Sequence, residues 1–211
     1  MAATSAADAW AVGSTYAVPL ILHWNGTAWT RARLPATVRR GVFTGVAATS
    51  GTNAWAVGYD ESKNGGPLIL HWNGTAWTRV WLPATVRYGL SDVAATSAKN
   101  VWILGSAILH WNGRKWTCAL LPKKPSPGNL FAISSSSADN AWAVGDSGSG
   151  TGVLALRWNG HSWTQVMTPQ TDLESALQGV AVIPQSGRAW AVGSTGGHET
   201  LMLHWNGTAW H

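Results

Sequence analysis

The sequence predicts an all-β fold, a five-bladed β-propeller with four antiparallel strands per blade. Three observations carry this prediction: a Trp-marked repeat at blade spacing, strand-like segments with no helical period, and apolar residues on both faces of those segments.

The repeat comes first, because it sets the architecture. The Trp of the motif Ala-Trp-Ala-Val-Gly, or its variants, falls at Trp10, Trp55, Trp102, Trp142 and Trp190, in steps of 45, 47, 40 and 48 residues. A second Trp, in His-Trp-Asn-Gly or Arg-Trp-Asn-Gly, falls at Trp24, Trp72, Trp111, Trp158 and Trp205. A third closes each copy at Trp29, Trp77, Trp116, Trp163 and Trp210. Of the 16 Trp residues, Trp81 alone stands outside this pattern. The 211 residues therefore divide into five copies, approximately 1–44, 45–91, 92–130, 131–178 and 179–211, expected to form one domain. A period in the forties is the length of one four-stranded blade.

Within the second copy the expected strands are 45–50 (GVAATS), 54–58 (AWAVG), 68–72 (LILHW) and 76–82 (AWTRVWL). They are rich in β-branched and aromatic residues and bounded by Gly, Asn, Ser and Pro. No window holds a 3.6-residue apolar period long enough for a helix. The segment 171–179 (TDLESALQG) could make one or two helical turns inside a loop. Between strands three and four, Asn-Gly signals a tight hairpin, for which a type I′ turn is expected. The twelve residues from Leu20 to Arg31 recur unchanged from Leu68 to Arg79, so one hairpin is written twice. Both faces of "LILHW" are apolar or small, which suits a sheet covered on both sides. Stacked four-stranded sheets make a propeller. A linear array of β-meanders is the alternative, at the cost of bare apolar faces on its end units. The first and last units are expected to meet noncovalently, with no strand donated across the seam.

These residues resemble a known group. The pattern W-x-V-G followed by ILHW-N-G-x-x-W is similar to a Trp-rich, Asp-box-like bacterial β-propeller repeat family. The resemblance covers essentially the whole chain. It departs at the Asp of the box, which is Asn here (Asn25, Asn73, Asn112, Asn159, Asn206). The box is architectural in that family, so the resemblance implies a fold and transfers no catalytic residue. It also favours an extracytoplasmic or secreted location, although no signal peptide stands before the first repeat.

Composition narrows the function classes. Charged residues make up 11% of the chain, and the net charge is +5 from 14 Lys and Arg against 9 acids. The basic residues gather around Arg31–Arg40 and at Lys123 and Lys124 and do not interleave with the recurring Trp residues, so no specific nucleic-acid binding is expected. A single Cys, Cys118, excludes an intrachain disulfide. No apolar run approaches the length of a membrane span.

Chemistry is sparse. No acid recurs at one repeat position, which is poor material for paired acid–base work, and the protein is expected not to be an enzyme. His23, His71, His110 and His204 occupy one repeat position on separate units and cannot converge on a metal; the fourth copy has Arg157 there. That replacement argues for a hydrogen bond to the neighbouring turn. No metal, cofactor or catalytic residue is expected.

Binding is expected instead, with a glycan as the leading ligand and a protein partner as the alternative. The strand one-to-two and three-to-four connections hardly vary among the copies, whereas the others vary strongly, so one end of the array is uniform and the other individual. Loops on a rigid scaffold carry function. The ligand-binding candidates on the variable end are Arg39, Arg40, Tyr59, Trp81, Arg87, Tyr88 and His198. Trp81 is expected to be exposed, because its counterparts in other copies are Arg33, Leu120 and Met167. A lectin would instead repeat its site at the junctions between units, where several weak sites gain avidity. The chain is expected to be a monomer.

Overall fold

The computed structural model describes residues 1–62, 65–83, 86–87, 89–122, 128–148, 152–171 and 174–211. It is built from five antiparallel meanders, each with its strands in sequence order. The first sheet is β1 (Ala2–Ser5), β2 (Asp8–Thr15), β3 (Val18–Trp24) and β4 (Trp29–Arg31). The second is β5 (Gly41–Ser50), β6 (Asn53–Asp60), β7 (Gly66–Trp72) and β8 (Trp77–Arg79). The third is β9 (Asp92–Ser97), β10 (Asn100–Leu104), β11 (Ile108–Trp111) and β12 (Trp116–Cys118). The fourth is β13 (Leu130–Ser137), β14 (Asn140–Asp146), β15 (Val153–Trp158) and β16 (Trp163–Gln165). The fifth is β17 (Ala176–Val182), β18 (Ala189–Ser194) and β19 (Thr200–Trp205), with an isolated bridge between Trp205 and Trp210 in place of a fourth strand.

The chain forms two compact units, Met1–Thr117 and Cys118–His211. In the first, Trp10 and Ile21 of the first sheet pack with Ala54, Ala56, Leu68, Leu70 and Trp77 of the second. The opposite face of the second sheet, with Trp55, Val57 and Ile69, packs on Val93, Val101, Ile103 and Leu109 of the third. In the second unit, Trp142, Val144 and Ala155 of the fourth sheet pack with Ala189, Ala191, Leu203, Trp205 and Trp210 of the fifth. In the second sheet alternate residues thus enter different cores, which is why both faces of the motif had to be apolar.

The hairpin between strands three and four differs from the expected two-residue type I′ turn. Its loop is four residues, Asn25–Ala28 in the first copy, closed by the pair Trp24–Trp29. Gly26 takes the positive φ (92°), and Asn25 does not. Asn25 Oδ1 accepts the amides of Thr27 at 3.0 Å and Ala28 at 2.9 Å. Asn73, Asn112, Asn159 and Asn206 do the same. The side chain caps the turn, so the Asn itself need not enter the left-handed region. Strand four is also shorter than expected: β8 ends at Arg79, and Trp81 lies beyond it. In the segment 171–179, residues 172–173 lie outside the described residues, and Ala176 onward is strand.

The recurring Gly of the strand-two motif has a steric cause. Strand β5 carries an irregularity between Phe43 and Gly45 that pushes its backbone onto β6. A methyl group on Gly58 would lie 1.9 Å from the Val42 carbonyl oxygen. The same contact arises at Gly145 against Asn129 (1.8 Å) and at Gly193 against Ala176 (1.9 Å). At Gly13 nothing stands within 4 Å. Gly58→Ala is therefore expected to destabilise by roughly 1–3 kcal/mol, as overpacking does. Gly13→Ala should be neutral or slightly stabilising. Urea denaturation of the two variants checks this, and equal effects at both positions would contradict it.

Candidate functional site

One polar device is copied along the array. In the second copy Asn53 Nδ2 donates to Thr49 Oγ1 at 2.6 Å, which turns its carbonyl oxygen toward His71 Nε2 at 2.8 Å. Because that oxygen only accepts, His71 donates from Nε2. Its ring lies against Trp55, centroids 4.2 Å apart. The third copy repeats this with Thr96, Asn100, His110 and Trp102. The first substitutes Asp8 for Asn: His23 Nε2 lies 2.7 Å from its carboxylate, and Thr4 donates to the other oxygen. In the fourth copy the Arg157 guanidinium lies over Trp142 and Trp205, at 5.6 and 5.5 Å from their ring centres. These side chains orient strands two and three and hold the strand-two Trp flat. Each of these side chains acts within its own sheet and on its neighbouring Trp.

The three Trp residues of a copy have separate roles. The second ties the strand one-to-two turn: Trp24, Trp72, Trp111 and Trp158 donate their indole N–H to the carbonyls of Ala6, Gly51, Ala98 and Ala138, at 2.9–3.1 Å. The first enters the aromatic pair of the next sheet. Trp10 meets Trp77 edge-on (5.1 Å, 89°) and Trp72 at 5.2 Å. Trp55 meets Trp116 and Trp111, and Trp142 meets Trp210 and Trp205, in the same way.

Above the first of these nodes lies a cleft of ≈ 490 Å³ between the first and second sheets. Trp10, Trp72 and Trp77 form its floor. His23, Thr30 and Arg33 line it from the first sheet's side with the segment Leu34–Ala36, and Thr75 and Ala76 from the second's. Trp10 and Trp77 are 1% and 3% exposed, and their indole N–H groups have no protein acceptor. Arg33 is exposed at the rim. Sequence reasoning pointed to unit junctions without choosing these residues. The available signal was the position Arg33 shares with Trp81, Leu120 and Met167. Three of the four are large apolar side chains left exposed, Trp81 at 73%, Leu120 at 92% and Met167 at 84%. Met167 itself lines a cleft of ≈ 350 Å³ in the second unit.

The candidates named from sequence fall into separate places. Tyr59 is the penultimate residue of β6 and is 38% exposed, with Gly89 beside its ring. The Arg40 carbonyl accepts the amide of Glu61 nearby, and the Arg87 main chain passes Gly66 at the same end of the second sheet. Trp81 joins this group through Arg79, whose guanidinium lies 4.5 Å from the Trp81 ring centre and 2.9 Å from Asp60. Burial alone would raise the Asp60 carboxyl. The Ser62 hydroxyl and amide and the Arg79 charge outweigh it and hold the group below its ordinary value. Arg39 donates from Nε to the Ala36 carbonyl at 3.2 Å. His198 sits in the other unit, at positive φ in the β18–β19 turn. Tyr88, like Lys63, Lys123, Lys124 and Asp172, lies outside the described residues. Among the described residues no three His, Cys, Asp or Glu side chains gather as metal ligands, and no helix is long and apolar enough to cross a membrane.

The architecture matches solved β-propellers. YCF48 bound to a D1 peptide superposes with a TM-score of 0.65 at 17% identity, over 100% of this chain and 64% of that one. A fungal lectin from Aleuria aurantia, described as a six-bladed β-propeller with a novel fucose recognition mode, gives 0.61 at 10% identity, over 100% and 74%. The SapL1 lectin in complex with α-methyl fucoside gives 0.62 at 14%, over 100% and 77%. The chain thus spans about two thirds to three quarters of these proteins' length. At such identities the likeness concerns the fold alone. No protein-family model and no curated protein sequence matches the chain.

The histidine device gives a pH signature. Burial holds His71 and His110 below the ordinary imidazole value, so the folded chain keeps them neutral. Between the folded and unfolded values the unfolded chain binds more protons, and stability therefore falls as the pH drops. Thermal melts should show full stability above about pH 7 and a progressive loss as acid takes the solution through the ordinary imidazole value near 6.5. His71→Gln with His110→Gln should flatten that slope, and an unchanged slope would contradict the assignment. Asp8 acts in a lower window. Burial raises its carboxyl, but hydrogen bonds from Thr4 and His23 win and lower it, so its contribution is lost only in stronger acid.

Proposed function

We propose that the chain is a non-catalytic binding module, five blades of a β-propeller, and that it takes a carbohydrate in clefts at the junctions between blades. The observation that carries this reading is the cleft over Trp10, Trp72 and Trp77. Trp72, the part-exposed ring among its lining aromatics, suits the apolar face of a sugar ring, and Arg33, Thr30 and Thr75 suit the hydroxyls at its edge. Its volume falls in the range of small-molecule sites. The fold likeness to two lectins whose structures concern fucose supports the ligand class. A non-catalytic role is supported by the state of the acids: Asp8 is engaged with His23, Asp60 with Arg79, and Asp146 with Asn129 and the Gly148 amide.

A protein or peptide partner is the second reading, and a specific observation favours it. Tyr59 and Trp81 are exposed at one end of the second sheet, and Trp81 is braced by the Arg79–Asp60 pair. Exposed aromatics on a rigid support are typical contact residues. YCF48, which shares the fold, was solved with a bound peptide.

A glycan array with the labelled protein separates the two readings. Saturable binding to one sugar class is expected, competed by the free monosaccharide. Arg33→Ala should weaken it by about tenfold or more, as removal of a charged hydrogen bond does, while Trp81→Ala leaves it unchanged. A blank array on folded protein, or binding lost with Trp81→Ala alone, would overturn the junction site.

A further inference from the structure

The cleft between the first and second sheets has an unbalanced lining. Its polar side chains are His23, Thr30, Arg33 and Thr75, and no Asp, Glu, Asn or Gln side chain lines it. Arg33 only donates, from five N–H groups. Among the described residues it makes no ion pair and no hydrogen bond, whereas His23 and Arg79 have Asp8 and Asp60. Thr75 is a second free donor. Its counterpart Thr27, in the identical dodecamer, turns its hydroxyl onto Asn25 Oδ1 at 2.8 Å, and Thr208 does the same on Asn206. Thr75 caps its turn through the amide, and among the described residues its hydroxyl has no partner. The same sequence thus leaves this hydroxyl free where it borders the cleft. The other groups are engaged. Thr30 donates to the His23 carbonyl, His23 Nε2 faces Asp8, and the Trp72 indole N–H donates to the Gly51 carbonyl.

A sugar hydroxyl both donates and accepts, so a neutral ring needs acceptors around it as well as donors. A guanidinium and a free hydroxyl with no carboxylate or amide beside them suit a ligand that brings the acceptors itself. The unit that holds the cleft, Met1–Thr117, contains 10 of the 14 Lys and Arg but 4 of the 9 acids, and such an excess draws anions toward it. Resting on the carbohydrate reading of this cleft, we propose that the sugar it takes is acidic, with its ring on Trp72 and a carboxylate or sulfate group on Arg33. A planar carboxylate meets the guanidinium fork through two parallel hydrogen bonds. Thr75, from the second sheet's side, donates to a ligand oxygen. Trp81, Leu120 and Met167 hold the position of Arg33 in other copies, so the preference for an anion belongs to this junction.

The glycan array tests this when its signals are sorted by charge. Saturable binding should fall on uronic, sialic or sulfated glycans, and the carboxylate and sulfate spots show which anion is taken. Titration calorimetry then compares the strongest binder with its neutral form, the methyl ester of a carboxylate or the desulfated sugar. The neutral form should bind about tenfold or more weakly, as loss of a charge-assisted hydrogen bond requires. Salt at about 1 M, where the Debye length is about 3 Å, should weaken the acidic form more than the neutral one. Arg33→Gln should make the two forms bind alike, and Thr75→Val should weaken the acidic form roughly fivefold. Arg114→Gln removes an exposed cation of the same unit outside the cleft and should leave the difference intact. Near-UV circular dichroism checks that each variant is folded. Equal binding of acidic and neutral forms to the wild type overturns the acidic ligand and leaves the carbohydrate reading standing. Equal losses with Arg33→Gln and Arg114→Gln also overturn it, since they would show diffuse attraction in place of a site. A blank array on folded protein removes both.

Discussion

The structure depends on one packing event, the insertion of a strand-two Trp into the aromatic pair of the following sheet's hairpin. Trp10, Trp55 and Trp142 each make it, edge-on to one indole and tilted to the other. The large ring removes more apolar area from water than any other side chain could, and edge-to-face geometry adds to that gain. The remaining features of a copy prepare one side of this contact or the other. The His stacked on the strand-two Trp fixes its plane. Asn, anchored by Thr, holds the His. The hairpin loop, capped by its own Asn, sets the separation of the two receiving Trp residues. The second Trp ties itself to the strand one-to-two turn through its indole N–H.

That economy explains why a dodecamer is written twice without change. The hairpin must present the same Trp pair, at the same spacing, to whatever precedes it. Variation is confined to places the contact does not use. The residue after the hairpin is Arg33, Trp81, Leu120 or Met167 in different copies, and it points to solvent or to a cleft rim. Each copy therefore combines a standard frame with an individual side chain at an equivalent position.

Much of the fold was legible in the sequence because the repeat is measured by Trp, and Trp is placed by packing. The five sheets, their strand order and the exposure of Trp81 followed from spacing and from comparing copies. The Asn-Gly turn was misread as type I′ because dipeptide preference says nothing of side-chain capping. Asn25 Oδ1 takes the loop amides and lengthens the loop to four residues. The fifth sheet's missing strand was not legible either, since its closing Trp210 is present and makes only a bridge. The site was read less well. Arg40, Tyr59, Arg87 and Trp81 do share one end of the second sheet, because two connections vary together there. The junction cleft depends on how Arg33 and the Leu34–Ala36 turn lie over a neighbouring sheet, and that tertiary placement leaves no periodic mark.

The central claim, that Trp-into-Trp-pair packing couples neighbouring sheets, is tested most directly by a double-mutant cycle on Trp55 and Trp116, whose rings meet at 5.7 Å and 85°. Unfolding free energies of Trp55→Leu, Trp116→Leu and the double variant give the coupling. The account predicts an interaction of about 0.5–1.5 kcal/mol beyond the separate losses of area. Additivity within about 0.3 kcal/mol would mean that each Trp fills its own core and that the pair does not join the sheets.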